Sequence, residues 1–180
     1  MYPPVNATWV VLGGWLLIAL GIDSLSLALR PDDLHWMQIL TAHWVHVDLQ
    51  HAVANALGWL IAVVIFRDGL MKLALLVVTA GCGVGIGWLL VGEAAGYAGL
   101  SGVLYAIAAF VSLGWLNCRT TRYLGALALA GMLVSASGVM QAGDRWNFEV
   151  AAVAHLLGAL VGIVMGLTRQ AALDYGLVKV

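Results

Sequence analysis

A chain of 180 residues that is 63% hydrophobic and 9% charged cannot present a water-soluble surface, since soluble domains carry about 25% charged residues. The formal net charge is −1 and no basic patch exists, which excludes a nucleic-acid partner. The composition is that of an integral membrane protein.

Met1-Tyr2-Pro3-Pro4-Val5-Asn6 opens the chain without Lys or Arg, which argues against a cleaved signal peptide and its positive n-region. Six apolar runs follow, at roughly 8–28, 49–66, 70–91, 100–117, 122–141 and 150–168. Each supplies about the 17–25 residues a helix needs to cross ~30 Å of hydrocarbon. None alternates as a strand would. The predicted fold is an all-α membrane protein, a bundle of six transmembrane helices forming a single domain over residues 1–180. Asp23, near the outer end of the first run, is expected at the interface. From Arg30 to Asp48, Leu34, Trp36, Met37, Ile39, Leu40 and Trp44 mix with polar residues, which suits a first outer loop lying in the interface. Cys82 and Cys118 sit within or at the end of apolar runs and read as packing residues rather than a disulfide.

Charge alternates across the joints. Arg67, Lys72, Arg119, Arg122, Arg169 and Lys179 fall on one side, six of the eight cations. Asp32, Asp33, Asp48, Glu93, Asp144 and Glu149 fall on the other, with Arg30 and Arg145. The positive-inside rule then places the cation-rich joints and both termini in the cytoplasm.

Few polar side chains interrupt the runs, so each is informative. His51 and Asn55 are spaced i, i+4 and share a helix face. Ser101 lies in Gly99-Leu100-Ser101-Gly102, with Tyr105 one turn later. His155 has Ala151, Gly158, Ala159 and Gly162 on its own face, a small-residue face that permits close helix approach. The face of Ser101 continues through Tyr105, Ala108 and Ser112. Two such faces packed together would bring Ser101 to His155, a nucleophile with its general base. No acid lies in an apolar run near either, so the chemistry would be that of a dyad. Tyr105 could position His155 by stacking. The Ser101 N–H, free at a helix start, and the side chains of His51 and Asn55 would supply donors for an oxyanion.

These residues resemble the rhomboid intramembrane serine proteases. The likeness is carried by Gly99-Leu100-Ser101-Gly102, by His51-x-x-x-Asn55 on an earlier helix, and by Ala154-His155-x-x-Gly158-x-x-x-Gly162 on the last helix. The resemblance implies Ser101 as nucleophile, His155 as base, and His51, Asn55 and the Ser101 backbone as oxyanion hole. It implies Tyr105 packing on the histidine, Gly99 and Gly102 supporting the serine, and a structural role for His46. Thr41-Ala42-His43-Trp44-Val45-His46 looks like the rhombosortase subgroup, whose implied substrates are C-terminal tails with a glycine pair before a hydrophobic segment and a basic end. The implied partners are membrane-anchored proteins with a transmembrane segment and the lipid bilayer, with no cofactor and no metal. The implied location is a bacterial inner membrane with the active site opening to the periplasm. The fifth run and residues 141–148 would be the gate and cap.

Two rival readings stand beside this one. His43, His46 and His51 have spacing compatible with a metal site, which would leave Ser101 and His155 unexplained. A catalytically inactive rhomboid-like protein that binds membrane clients would share the fold, although such proteins lose the serine or histidine present here.

Overall fold

The computed structural model describes residues 6–20, 25–66, 69–91, 96–136 and 148–175. Seven α-helices occur among them: α1 (Ala7–Leu20), the single-turn α2 (Gln38–Thr41), α3 (Leu49–Ile65), α4 (Leu70–Val91), α5 (Ser101–Leu116), α6 (Arg122–Ala136) and α7 (Phe148–Asp174). Six of them correspond to the six apolar runs, and α2 belongs to the long first loop. By length and composition α4 and Ala152–Asp174 can cross a membrane, and α1, α3 and α5 are shorter apolar helices. The outer faces are apolar as well: Leu90 is 81% exposed and Leu127 71%. Helices that are apolar outside as well as inside suit a lipid surround.

Helix α5 is the centre of the bundle, packed on α7, α6, α4 and α3, with α1 outside α3 and α4 also against α7. Tryptophans cross-link α1 and α3. Trp15 Nε1 donates to the Ala56 carbonyl at 3.0 Å and Trp59 Nε1 to the Val10 carbonyl at 3.2 Å. Gly14 makes room for the second indole, which a Cβ there would strike.

Two runs differ from their expected bounds. Leu25–Leu27, at the end of the first run, form a 3-10 turn rather than α-helix. Helix α7 continues past 168 to Asp174 because polar bonds extend it beyond its apolar stretch. Thr168 Oγ1 donates to the Val164 carbonyl at 2.8 Å, Gln170 Nε2 to Asp174 Oδ1 at 2.8 Å, and Asn117 Nδ2 to Gln170 Oε1 at 3.0 Å.

The first outer loop is ordered by its own polar groups. Buried Gln38 accepts the His35 N–H at 3.0 Å on Oε1. Ala42, His43, Val45 and His46 are buried, while Leu34, Trp36, Met37 and Val47 turn apolar surface outward. That division fits a segment seated on the bundle and facing the interface. Asp23, Gly92, Glu93, Arg67, Lys179 and residues 137–147, which include Asp144, Arg145 and most of the expected cap, lie outside the described residues. Cys82 and Cys118 are both free thiols.

Candidate active site

Helix α3 begins at a capped N-terminus. Asp48 is extended (φ −156°, ψ 171°) and its carboxylate accepts the His51 N–H at 2.7 Å. This cap fixes where the helix starts, and so places His51 and Asn55 on one face of its first two turns.

That face meets the loop before α5 at Gly99. Gly99 has φ +122°, a conformation that favours glycine. A Cβ there would stand 2.5 Å from His51 Cε1 and 2.8 Å from Nε2, with Asn55 Nδ2 at 3.8 Å. Only a residue without a side chain permits both the turn and the approach. The Gly99 N–H donates to the Ala42 carbonyl at 2.9 Å. Two residues on, Ser101 opens α5 and is half-buried, its N–H among the first-turn groups that have no intrahelical acceptor.

Helices α5 and α7 touch backbone to backbone. A Cβ on Gly158 would strike the Gly102 carbonyl oxygen, and one on Gly162 the Ala106 carbonyl oxygen. At Gly102 itself a Cβ would lie 3.2 Å from the Ala154 carbonyl. The close face of α5 is thus Gly102, Ala106 and Ala109, all buried, rather than the expected line through Ala108, which is exposed. The shift of one position matters: Ser101 and Tyr105 stand beside the seam instead of within it. His155 is 8% exposed and its ring stacks on Tyr105, with centroids 4.1 Å apart and planes 6° apart. Tyr105 is four residues, about 6 Å of helix rise, below Ser101.

Two side-chain nitrogens at the site are buried and without a hydrogen-bond partner among the described residues, Asn55 Nδ2 and His155 Nδ1. Unsatisfied buried polar atoms are rare, and a catalytic role is one of the few reasons a protein keeps them. His46 lies edge-on to His51 with ring centroids 5.0 Å apart, and its Nδ1 donates to the Trp44 carbonyl at 3.0 Å. Burial, reinforced by the neighbouring His51, pushes the His46 pKa down to about 4.

His43 does not join His46 and His51. Its Nε2 lies 2.9 Å from the Gly81 carbonyl and its Nδ1 3.0 Å from the Tyr97 hydroxyl. Both nitrogens are thus committed elsewhere, which opposes the three-histidine metal reading. Among the described residues no group of three or more His, Cys, Asp or Glu is placed to hold a metal ion. Burial lowers the His43 pKa, opposed by bonds to backbone groups such as Gly81, and burial raises that of Tyr97. Tyr97 was not singled out from the sequence. It lies in a loop, outside the apolar runs in which polar residues are conspicuous.

A groove of about 350 Å³ opens beside Tyr105 between α3, α5 and α6, lined by Gly58, Ile61, Leu104, Ala108, Ala128 and Met132 among others. Its walls are almost wholly apolar.

Against known families, the model of the Rhomboid domain matches residues 33–171, more than half of the chain. No curated protein matches it.

Proposed function

The chain belongs to the rhomboid family of intramembrane proteases, and we propose that it is an active serine endopeptidase using Ser101 and His155 as its catalytic dyad. Ser101 Oγ attacks the scissile carbonyl carbon as His155 takes its proton. The oxyanion that forms accepts hydrogen bonds from the Ser101 N–H and from the His51 and Asn55 side chains. Collapse of the tetrahedral intermediate breaks the C–N bond, and His155 returns the proton to the leaving amine. Water, deprotonated by His155, then attacks the acyl carbon; the bond from that carbon to Ser101 Oγ breaks, His155 returns the proton to Oγ, and the acid leaves.

The observation that carries this reading is the stack of His155 on Tyr105, one turn from Ser101, beside the seam where Gly158 and Gly102 meet. The unpartnered Asn55 Nδ2 beside Gly99 supports the oxyanion hole. His46 packs on His51 as a structural support. The apolar groove beside Tyr105 suits a transmembrane segment of substrate, which would enter from lipid between α3 and α6.

The substrate class follows from the likeness of Thr41–His46 to the rhombosortases: membrane-anchored proteins whose C-terminal tails carry a glycine pair, a hydrophobic segment and a basic end. Six of eight Lys and Arg on one side support cytoplasmic termini, and the family likeness supports a site opening to the periplasm of a bacterial inner membrane. The test is cleavage of such a tail by the purified protein in liposomes. Wild type cuts near the glycines and Ser101→Ala and His155→Ala do not. Equal cleavage by all three removes the dyad. Equal cleavage after the glycine pair is replaced removes the tail specificity.

A further inference from the structure

Gly99 carries a conformation that nothing of its own can hold. It has no side chain to pack, and glycine has the greatest backbone freedom of any residue. Yet Ser101 is reached through it, and its backbone lies against His51 and Asn55.

The constraint comes from outside the dyad. The Gly99 N–H donates to the Ala42 carbonyl at 2.9 Å. The Gly99 carbonyl accepts the Tyr97 hydroxyl at 2.6 Å. The same phenol oxygen stands 3.0 Å from His43 Nδ1, a contact whose donor and acceptor follow the imidazole tautomer. On the other side of the ring His43 Nε2 lies 2.9 Å from the Gly81 carbonyl, which ties the imidazole to α4 when that nitrogen carries the proton. His43 and Tyr97 are 3% and 2% exposed, so water does not compete for these bonds.

The anchors are rigid elements. Tyr97 pairs its backbone with Leu29 in both directions at 2.9 Å, and its ring rests on Trp88 of α4 with centroids 5.4 Å apart. His43 fits against α4 because residue 81 is glycine. A Cβ there would stand 3.1 Å from the imidazole Cδ2. Since a peptide unit is planar and trans, holding the Gly99 carbonyl also sets the direction of the Leu100 N–H, one residue before Ser101.

From this arrangement we infer that His43 and Tyr97 are positioning residues, a buried relay that holds the Gly99–Ser101 segment in reactive geometry. The inference rests on the protease reading above. It gives His43 a task distinct from that of His46 and His51, its neighbours in sequence. Neither His43 nor Tyr97 touches the reacting atoms. They act through the peptide that carries the serine.

Tyr97→Phe is the direct test, because it keeps the ring against Trp88 and removes only the hydroxyl. The full chain in detergent is labelled with carbonyl-13C glycine and 15N leucine, which marks four Gly-Leu pairs, at residues 69, 99, 166 and 176. The relay predicts that Tyr97→Phe moves the Gly99–Leu100 signal and leaves the other three in place. It also predicts that fluorophosphonate labelling of Ser101, counted per folded molecule, slows about tenfold, the effect of one lost buried hydrogen bond, beyond what any fall in melting temperature accounts for. His43→Ala should reproduce both effects. His43→Asn, whose amide can donate or accept near the Nδ1 position, should restore most of the rate. An unmoved Gly99–Leu100 signal overturns the relay. So does a moved signal with labelling at the wild-type rate, or a rate loss that only tracks loss of folded protein. If the signal moves but Ser101 of the wild type takes no label, the protease reading fails and the positioning of a catalytic serine falls with it.

Discussion

The ring of Tyr105 lies flat on that of His155, with centroids 4.1 Å apart and planes 6° from parallel. One residue comes from the middle of the bundle and the other from its last helix. The stack joins them beside the point where α5 and α7 touch. It fixes the plane of the imidazole without using either ring nitrogen, which leaves both for proton transfer and hydrogen bonding.

Stacking and hydroxyl can therefore be separated. Tyr105→Phe should keep most of the labelling and cleavage rate. Tyr105→Ala should lower it about tenfold, as expected for loss of a ring pair worth ~0.5–1.5 kcal/mol. Rates per folded molecule, with Ser101→Ala as background, check the pair. A larger loss in Tyr105→Phe than in Tyr105→Ala would assign the work to the hydroxyl.

Helix contact makes a sharper prediction about stability. Gly158→Ala drives a methyl at the Gly102 carbonyl and should cost on the order of 1–3 kcal/mol, since backbone cannot rotate aside as a side chain can. Gly114→Ala, on α5 with nothing within 4 Å of the new Cβ, should be neutral or slightly stabilising. Thermal unfolding in the same detergent compares them. Equal melting temperatures would mean that α5 and α7 are not in backbone contact.

The sequence carried this seam in outline. Gly158 and Gly162 mark the close face of α7, and six apolar runs mark the bundle, because both signals are local and periodic. The facing line on α5 was off by one position. Small residues occur at Gly102, Ala106 and Ala109 as well as at Ala108, and periodicity alone cannot choose between adjacent stripes. The relay was not legible. His43 meets Tyr97 across 54 residues of chain, and neither lies in an apolar run where a polar residue stands out. His43 instead shared a spacing with His46 and His51, and in the folded chain the three do not act together.

The pH dependence of stability should reflect His46. Its Nδ1 bonds the Trp44 carbonyl, while its buried Nε2 faces no partner among the described residues. Folding thus favours the neutral ring, with a pKa of about 4 against about 6.5 unfolded. The contribution is complete above pH ~6.5 and is lost as pH falls through about 4, amounting to at most ~3 kcal/mol. His43, lowered by burial, adds to the slope in the same direction. Unfolding measured from pH 7 to 4 should decline less steeply in His46→Phe than in wild type. Parallel curves would exclude His46 as a source.

The cap of α3 links stability to the site. Asp48→Ala removes the acceptor for the His51 N–H and should cost about 1 kcal/mol, while Asp48→Ser should recover most of it. The same change loosens the turn that carries His51. Asp48→Ala should therefore slow acylation of Ser101 as well as lower the melting temperature, both read on one preparation. Unchanged melting would show that the cap contributes nothing.

The central claim is that Ser101 is a nucleophile activated by His155. Its most direct measurement needs no substrate: the purified chain is treated with a fluorophosphonate and the adduct is mapped by peptide mass. The account predicts one adduct, on Ser101, abolished in Ser101→Ala and slowed at least a hundredfold in His155→Ala, the scale of general-base assistance. Labelling of other serines alone, or labelling of Ser101 at the same rate in His155→Ala, would contradict it.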